Sequence, residues 1–113
     1  MPYLIINNAT GFSAFTQKVF AAIETHKTMR DEKIIMHAEI MIGTSTIMFA
    51  DSTAEYTEMP AGLFIYVEDA DETYKKAIEA GATVVTALYD QPYGRSGGVK
   101  DPFGNTWWIT SVK

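Results

Sequence analysis

The chain has 113 residues, enough for one domain with a buried core, and it contains no cysteine, which excludes disulfides, thiolate catalysis and cysteine-based zinc sites. Hydrophobic residues make up 47% and charged residues 20% of the sequence, which indicates a folded globular protein rather than a disordered chain. The net charge of −5 and the lack of any lysine and arginine cluster argue against a nucleic-acid partner.

The sequence also lacks the usual signs of a membrane protein. No stretch approaches the ~20 consecutive apolar residues that a membrane-spanning helix needs. Residues 1–8 lack the basic start and the long apolar run of a signal peptide. An absence of cysteine is compatible with a reducing compartment. We therefore expect one acidic, cytoplasmic domain over residues 1–113, with no membrane partner.

The chain begins with the pattern of a strand followed by a helix. Residues 3–8 form a short apolar run typical of a strand, and Thr10 is a suitable N-cap for a helix after it. Helical spacing then relates four apolar residues, which predict one buried stripe: Phe12, Phe15, Val19 and Ile23.

Three further segments complete the first half. Residues 25–31 are polar and form either a short edge strand or a loop. Residues 34–42 and 46–50 flank Gly43-Thr44-Ser45, which is a hairpin signal. Residues 52–61 are polar and rich in breakers, so we interpret them as the connection between two halves.

The second half repeats this pattern. Residues 63–67 predict a strand, and Asp69 with Glu72 has the spacing of a capping box at the start of a helix. Gly81 stands where a left-handed C-terminal cap belongs, and residues 83–88 predict the next strand. The apolar stripe of this helix is formed by Ala70, Tyr74, Ala77 and Ile78.

A β-hairpin is predicted at the end of the chain, after a loop that runs through Pro92 and carries Arg95. The segment 101–104, Asp-Pro-Phe-Gly, has the composition of a type I turn. Its arms are residues 96–100 and 105–112, the second rich in residues with β preference. The order of elements is therefore β-α-β-β-β twice.

The end of the chain, residues 93–109, resembles the C-terminal signature of the vicinal oxygen chelate superfamily. The resemblance lies in Tyr93-Gly94-Arg95 and in Asp101-Pro102-Phe103-Gly104-Asn105-Thr106-Trp107. This superfamily contains glyoxalase I, bleomycin-resistance proteins and extradiol dioxygenases. The resemblance implies an α+β fold in which two βαβββ modules, residues 1–52 and 61–113, have curled mixed sheets that enclose a cleft. It also implies a homodimer. Residues 34–43 look like a strand of the demethylubiquinone-methyltransferase-like branch.

The resemblance also predicts whether a metal site is present. Metal-dependent relatives place four ligands, usually His and Glu, on strands of the two modules. Three of the corresponding positions fall near Met1, on Gly62 and on Trp108, none of which offers a suitable donor. Only Glu39 matches a carboxylate ligand, with His37 two residues away on the same strand face. Because a divalent catalytic site needs about three protein ligands, we expect no metal and no cofactor.

His37 and Glu39 remain candidate catalytic residues. One interpretation is a polar pair on a half-exposed sheet, which is the commoner fate of such residues. The other interpretation is a pair of hydrogen-bonding groups in the cleft, with His37 acting as an acid or base near neutral pH. By contrast, His26 is expected to be an ordinary surface residue.

Four residues are candidates for ligand binding. Strand alternation places Phe64, Tyr66 and Trp108 on the side away from the helices, where they either line an apolar pocket or belong to the core. Arg95 is able to bind a carboxylate or phosphate of a ligand, or to form a salt bridge, for example to Asp101. Asp101 itself is expected to form the turn.

We therefore predict a glyoxalase/bleomycin-resistance-like protein that binds a small molecule in an aromatic-lined cleft without a metal. The alternative is a lyase, isomerase or dioxygenase-type enzyme of the same superfamily, acting on a small organic substrate. A third hypothesis is an assembly module with a vestigial cleft. The fold alone does not decide among them, because this architecture hosts many chemistries.

Overall fold

The computed structural model describes residues 2–54, 57–59 and 61–112. The chain divides into two compact units, Met1–Pro60 and Ala61–Lys113. The first unit contains β1 (Tyr3–Ile6), α1 (Ala9–Phe20), β2 (Ile23–Met29), β3 (Ile35–Ile42) and β4 (Ser45–Asp51). The second contains β5 (Gly62–Tyr66), α2 (Ala70–Glu79), β6 (Thr83–Gln91), β7 (Gly94–Lys100) and β8 (Thr106–Val112). The prediction of an α+β fold with two βαβββ modules is confirmed.

Each unit builds one four-stranded mixed sheet with the same topology. The strand order is β1-β4-β3-β2 in the first sheet and β5-β8-β7-β6 in the second. The first strand of each unit pairs in parallel with the last, and the other pairs are antiparallel. A parallel pair needs a long crossover connection, and the helix provides part of it. In the described part of the chain, neither helix has the length and apolar character that crossing a bilayer requires.

Helix α1 starts and ends at left-handed residues. Its N-cap is Asn8, with φ of 67°, whose side chain accepts a hydrogen bond from the backbone N–H of Gly11 at 3.0 Å. The prediction of Thr10 as the cap is therefore wrong, because asparagine tolerates the left-handed conformation that the chain needs here. Ala21, with φ of 54°, ends the helix, so Ile23 lies in β2 rather than on the helical stripe.

The core of the first unit lies between α1 and one face of its sheet. Seven residues of α1 are buried, and the Phe12 and Phe49 rings meet edge to face with centroids 5.1 Å apart. The sheet contributes alternate residues, because successive side chains of a strand point to opposite faces. The buried strand residues include Leu4, Ile6, Ala38, Ile40, Ile47 and Phe49.

Helix α2 follows the predicted caps closely. The Asp69 side chain accepts a hydrogen bond from the Glu72 N–H at 3.2 Å. At the other end the Gly81 N–H donates to the Ile78 carbonyl and the next N–H donates to the Ala77 carbonyl, with φ of 107° at the glycine. This is a Schellman ending. Ala77 is buried in the stripe, whereas Ile78 is 36% exposed.

The structure decides between the two alternatives for residues 25–31 and corrects the prediction for the segment around Pro92. Residues 25–31 are mostly strand, because β2 forms an edge of the first sheet. The expected loop through Pro92 is wrong, because β6 continues to Gln91 and a two-residue turn leads directly into β7. Arg95 therefore lies inside a strand and not in a loop.

The β7–β8 hairpin turns at Asp101, as predicted. This buried carboxylate accepts hydrogen bonds from the backbone N–H groups of Phe103 and Asn105 at 2.8 and 2.9 Å, and from the Trp107 indole at 2.8 Å. The backbone N–H of Gly104 donates to the Asp101 carbonyl, which closes the turn. We call this arrangement the Asp101 turn. Arg95 does form a salt bridge, but with Asp71 and Asp90, so the prediction of Asp101 as its partner is wrong.

Candidate functional sites on the two open sheet faces

Each sheet has one face that packs on its helix and one face on the other side. Register and alternation assign the residues of the second kind of face. The first open face, in the first unit, includes Tyr3, Ile5, His26, Thr28, His37, Glu39, Met41, Met48 and Ala50. The second open face, in the second unit, includes Phe64, Tyr66, Ser96, Gly98, Trp108 and Thr110.

The first open face carries the two predicted catalytic residues as a pair. His37 Nε2 lies 3.1 Å from Glu39 Oε2, and both side chains are about one-third exposed, at 28% and 32%. The Tyr3 ring lies on one side of the imidazole, with centroids 5.7 Å apart. The His26 ring lies at 5.8 Å. The structure therefore surrounds His37 with one carboxylate and two rings.

The position of His26 was missed at the level of sequence. The β2–β3 register shifts between Glu24 and His26, so that Glu24 pairs with Ile40 whereas His26 pairs with Glu39. A bulge adds a residue to one strand and changes which side chains face the same way. The extra residue brings His26 to the first open face beside His37. Nothing in the local sequence marks this bulge.

The contact between His37 and Glu39 is short enough for a hydrogen bond. A carboxylate that accepts from one imidazole nitrogen fixes the tautomer and leaves the other nitrogen for a ligand. Among residues 2–54, 57–59 and 61–112, no three His, Cys, Asp or Glu side chains group so that they could hold a metal ion. The donor set described here does not fit a divalent catalytic ion, and the predicted position near Met1 lies outside the described residues.

The second open face is aromatic. The Phe64 ring contacts the Tyr66 ring with centroids 5.3 Å apart, and the Tyr93 ring at 6.4 Å. These side chains are 52%, 63% and 47% exposed. Tyr93 was not among the predicted ligand-binding residues, since the turn that presents it was interpreted as part of a loop. We call Phe64, Tyr66, Tyr93 and Trp108 the aromatic cluster.

Trp108 belongs to this cluster, and a glycine on the neighbouring strand leaves room for its ring. It pairs with Phe64 on β5 and with Gly98 on β7. A Cβ atom at Gly98 would lie 2.6 Å from the Trp108 ring atom Cζ3, so only glycine lets the indole lie against the strand. The neighbouring Trp107 is 1% exposed and belongs to the core.

Arg95 lies apart from the aromatic cluster, on the helix face of the second sheet. Its Nε donates to both carboxylate oxygens of Asp71 at 3.0 and 2.9 Å, and its Nη1 lies 3.4 Å from Asp90. The hydrogen bond to Asp71 is the main cause that raises the pKa of the Arg95 guanidinium above its ordinary value. The structure therefore brings Phe64, Tyr66 and Trp108 together but does not add Arg95 to them.

Comparison with known proteins identifies the family. The model of the Glyoxalase/Bleomycin resistance protein/Dioxygenase superfamily matches residues 7–109. The chain belongs to this superfamily. The superfamily predicted from residues 93–109 is thereby confirmed, whereas its demethylubiquinone-methyltransferase-like branch stays a prediction.

Individual proteins are similar to this chain over nearly its whole length. An uncharacterized protein of Mycobacterium bovis is 34% identical over 118 residues, which cover 94% of this chain and 78% of the relative. TioX from Micromonospora sp. ML1 superposes with a TM-score of 0.81 at 23% identity, covering 98% and 95% of the two chains. A superfamily enzyme from Burkholderia phytofirmans PsJN has a TM-score of 0.77 at 25% identity, with the same coverage.

Proposed function

We propose that this member of the superfamily binds a small, partly aromatic organic molecule on the second open face, without a metal ion. The observation that supports this most is the aromatic cluster. Phe64 and Tyr66 expose more than half of their surface, and their rings stand edge to face at 5.3 Å. Exposed rings in contact offer a surface on which a planar ligand stacks while excluding water.

Two further expectations belong to this proposal. Each sheet has two edge strands in the described part of the chain, β1 and β2 in the first and β5 and β6 in the second. Unpaired edges are usually covered, and a second copy of the chain is one way to cover them, so we propose a homodimer. A cytoplasmic location is also proposed, since a chain without cysteine suits a reducing compartment.

The binding proposal is tested with neutral aromatic probes: indole, quinoline and 2-naphthol. Binding is followed by tryptophan fluorescence and by the melting temperature, which a ligand of the folded state must raise. We expect saturable binding to the wild type. Trp108→Ala should abolish it, and Phe64→Ala should weaken it about tenfold, because an aromatic contact contributes about 1 kcal/mol beyond its area.

The matched control is Val84→Ala. Val84 is 59% exposed and pairs with Val99, which places it on the helix face of the same sheet. This variant loses exposed apolar surface without changing the aromatic cluster, so it should bind the probes like the wild type. Probe binding that survives Trp108→Ala, or an absence of saturable binding to the wild type, would overturn the proposal.

An enzyme of the lyase, isomerase or dioxygenase type is the second candidate function. The observation that favours it is the 3.1 Å contact between His37 and Glu39, which suits acid–base chemistry. Elemental analysis before and after mild chelation, with Glu39→Ala as the comparison, separates a metal-dependent enzyme from a metal-free one. A stoichiometric divalent metal that is lost in Glu39→Ala would contradict metal-free binding and favour the enzyme.

A further inference from the structure

A cavity of about 460 Å³ is lined by residues of the first unit alone. Its walls are mainly aliphatic and come from β1, from the end of β4 and from the start of β3. The wall residues are Ile5, Ile34, Ile35, Met36 and Ala50, with Tyr3 beside them. Arg30 and Asp51 supply the charged groups of the lining, and Thr53 contributes a hydroxyl group. We call this cavity the Arg30 pocket.

The turn that carries Arg30 is held by its own hydrogen bonds. The Arg30 backbone N–H donates to the Ile34 carbonyl at 2.8 Å. Inside the turn, Asp31 Oδ1 accepts from the backbone N–H groups of Lys33 and Ile34 at 2.8 and 2.9 Å. These bonds depend on the backbone and on Asp31, so the Arg30 side chain is not needed to form the turn.

Asp51 fixes the opposite wall. Its Oδ1 accepts from the backbone N–H of Ala9, at the start of α1, and its Oδ2 accepts from the backbone N–H of Ile35, both at 2.7 Å. One carboxylate thus ties together α1, β3 and β4. Because each oxygen already accepts a backbone hydrogen bond, Asp51 is a structural group of this pocket.

The Arg30 guanidinium differs from Asp51 in this respect. No carboxylate of the described residues forms an ion pair with it, and the side chain is exposed at the cavity. A guanidinium presents a planar fork of donors that matches a carboxylate. Apart from the attraction between its charge and Asp31, the guanidinium has no carboxylate partner among the described residues. An aliphatic cavity with such a guanidinium is complementary to a ligand that has an apolar body and one anionic end.

We propose that the Arg30 pocket binds a small aliphatic monocarboxylate, with the tail against the Ile5 and Ile35 wall and the carboxylate on the Arg30 guanidinium. We expect the pocket to prefer a head group with a single negative charge. Asp51 lies in the same lining, and the repulsion between its carboxylate and the ligand grows with the charge of the ligand. A neutral tail without the anionic end loses the charge-assisted hydrogen bonds. This site shares no residue with the aromatic cluster and does not depend on the function proposed for it.

The test uses octanoate, octan-1-ol and octyl phosphate, which share a tail and differ in the head group. Calorimetry measures affinity, and ¹H–¹⁵N spectra of the whole chain locate the site. We expect octanoate to bind one site, with amide shifts at residues 30–36 and 3–5, and about tenfold more tightly than octan-1-ol, the value of one charge-assisted bond. Octyl phosphate should bind more weakly than octanoate.

Arg30→Gln should lower the affinity for octanoate to that for octan-1-ol and leave octan-1-ol unchanged. Lys33→Gln is the matched control, since it removes one positive charge from the same turn without touching the pocket lining. It should keep the preference for octanoate. Met36→Ala, which shortens an exposed side chain of the wall, should weaken octanoate and octan-1-ol by a similar factor.

Three outcomes overturn the proposal. They are equal affinity of the wild type for octanoate and octan-1-ol, unchanged octanoate binding in Arg30→Gln, and an absence of saturable octanoate binding. Tighter binding of octyl phosphate than of octanoate would also contradict the proposal, and would show that the pocket prefers a phosphate ester to a carboxylate. Trp108→Ala should bind octanoate like the wild type, so failure at this pocket and failure at the aromatic cluster are distinguished.

Discussion

The two units have the same strand order but are stabilised by different parts. In the first unit the helix does most of the packing, with seven buried residues on α1. In the second unit α2 buries Ala70 and Ala77, and the Asp101 turn supplies a dense set of hydrogen bonds instead. A shared topology therefore does not require a shared source of stability.

The two units also differ in their open faces and in the partners of their arginines. The first open face has the polar His37–Glu39 pair, whereas the second has exposed rings. Arg30 lines a cavity without an ion pair to the described residues, whereas Arg95 is bound to Asp71 in a strand. Ligand recognition and structural support are thus assigned to different arginines, and the following changes separate the two roles.

The largest effect is expected from the core of the first unit. Phe12 is fully buried and packs on Phe49 at 5.1 Å, so Phe12→Ala should lower the free energy of unfolding by about 3–5 kcal/mol. Ile78→Ala on α2 should cost about 1 kcal/mol or less, because this side chain is already 36% exposed. Urea unfolding measures both. Equal costs would contradict the contrast between the two helices.

The second-largest loss of stability is expected from changes in the Asp101 turn. Asp101→Ala removes the acceptor of two backbone N–H groups and of the Trp107 indole, and buried donors without acceptors cost about 1–3 kcal/mol each. We expect a loss of about 3 kcal/mol in urea unfolding, with smaller losses in Asp101→Asn, which keeps one carbonyl oxygen. The comparison is Thr44→Ala in the β3–β4 turn, which should change stability by less than about 0.5 kcal/mol. A similar loss in both hairpins would show that the Asp101 turn is not special.

Much of the fold could be predicted from local chemistry. Alternation separates Leu4, 1% exposed, from Tyr3, 46% exposed, and the cap at Asp69 and the ending at Gly81 follow from residue type. The Asp101 turn was predictable for the same reason, since aspartate before proline favours a turn. Each of these features depends on residues that are close in sequence.

The errors arose where a single residue changes the pairing. An extra residue in β2 brings His26 opposite Glu39, and the continuation of β6 to Gln91 puts Arg95 in a strand on the helix face. Bulges and turn lengths are set by how two strands pair, which local patterns do not show. The Arg30 pocket was missed for a related reason, because its lining comes from three strands and a turn that meet only in the folded unit.

A smaller effect is expected from loss of the ion pair between Arg95 and Asp71. Because of this ion pair, we do not include Arg95 among the ligand-binding residues. Arg95→Gln and Asp71→Asn should each shift the midpoint of urea unfolding only slightly, because the pair is exposed to solvent and screened by it. The double variant should cost little more than either single one. The affinity for indole or quinoline should not change, as the guanidinium lies on the helix face. Weaker probe binding in Arg95→Gln, with unchanged stability, would return Arg95 to the ligand site.

The smallest effect is expected from Asp31, in the turn that carries Arg30. The backbone N–H groups of Lys33 and Ile34 hold the pKa of the Asp31 carboxyl below its ordinary value of 3.8. A depressed folded-state pKa contributes stability that is fully present above the unfolded pKa and is lost as pH falls through the folded one. The wild type should therefore lose a little stability below about pH 4, and ¹³C-detected titration should give a midpoint under 3.8. Asp31→Ala should remove this part of the slope in acid unfolding, and a slope identical to that of the wild type would mean that the turn hydrogen bonds do not form in solution.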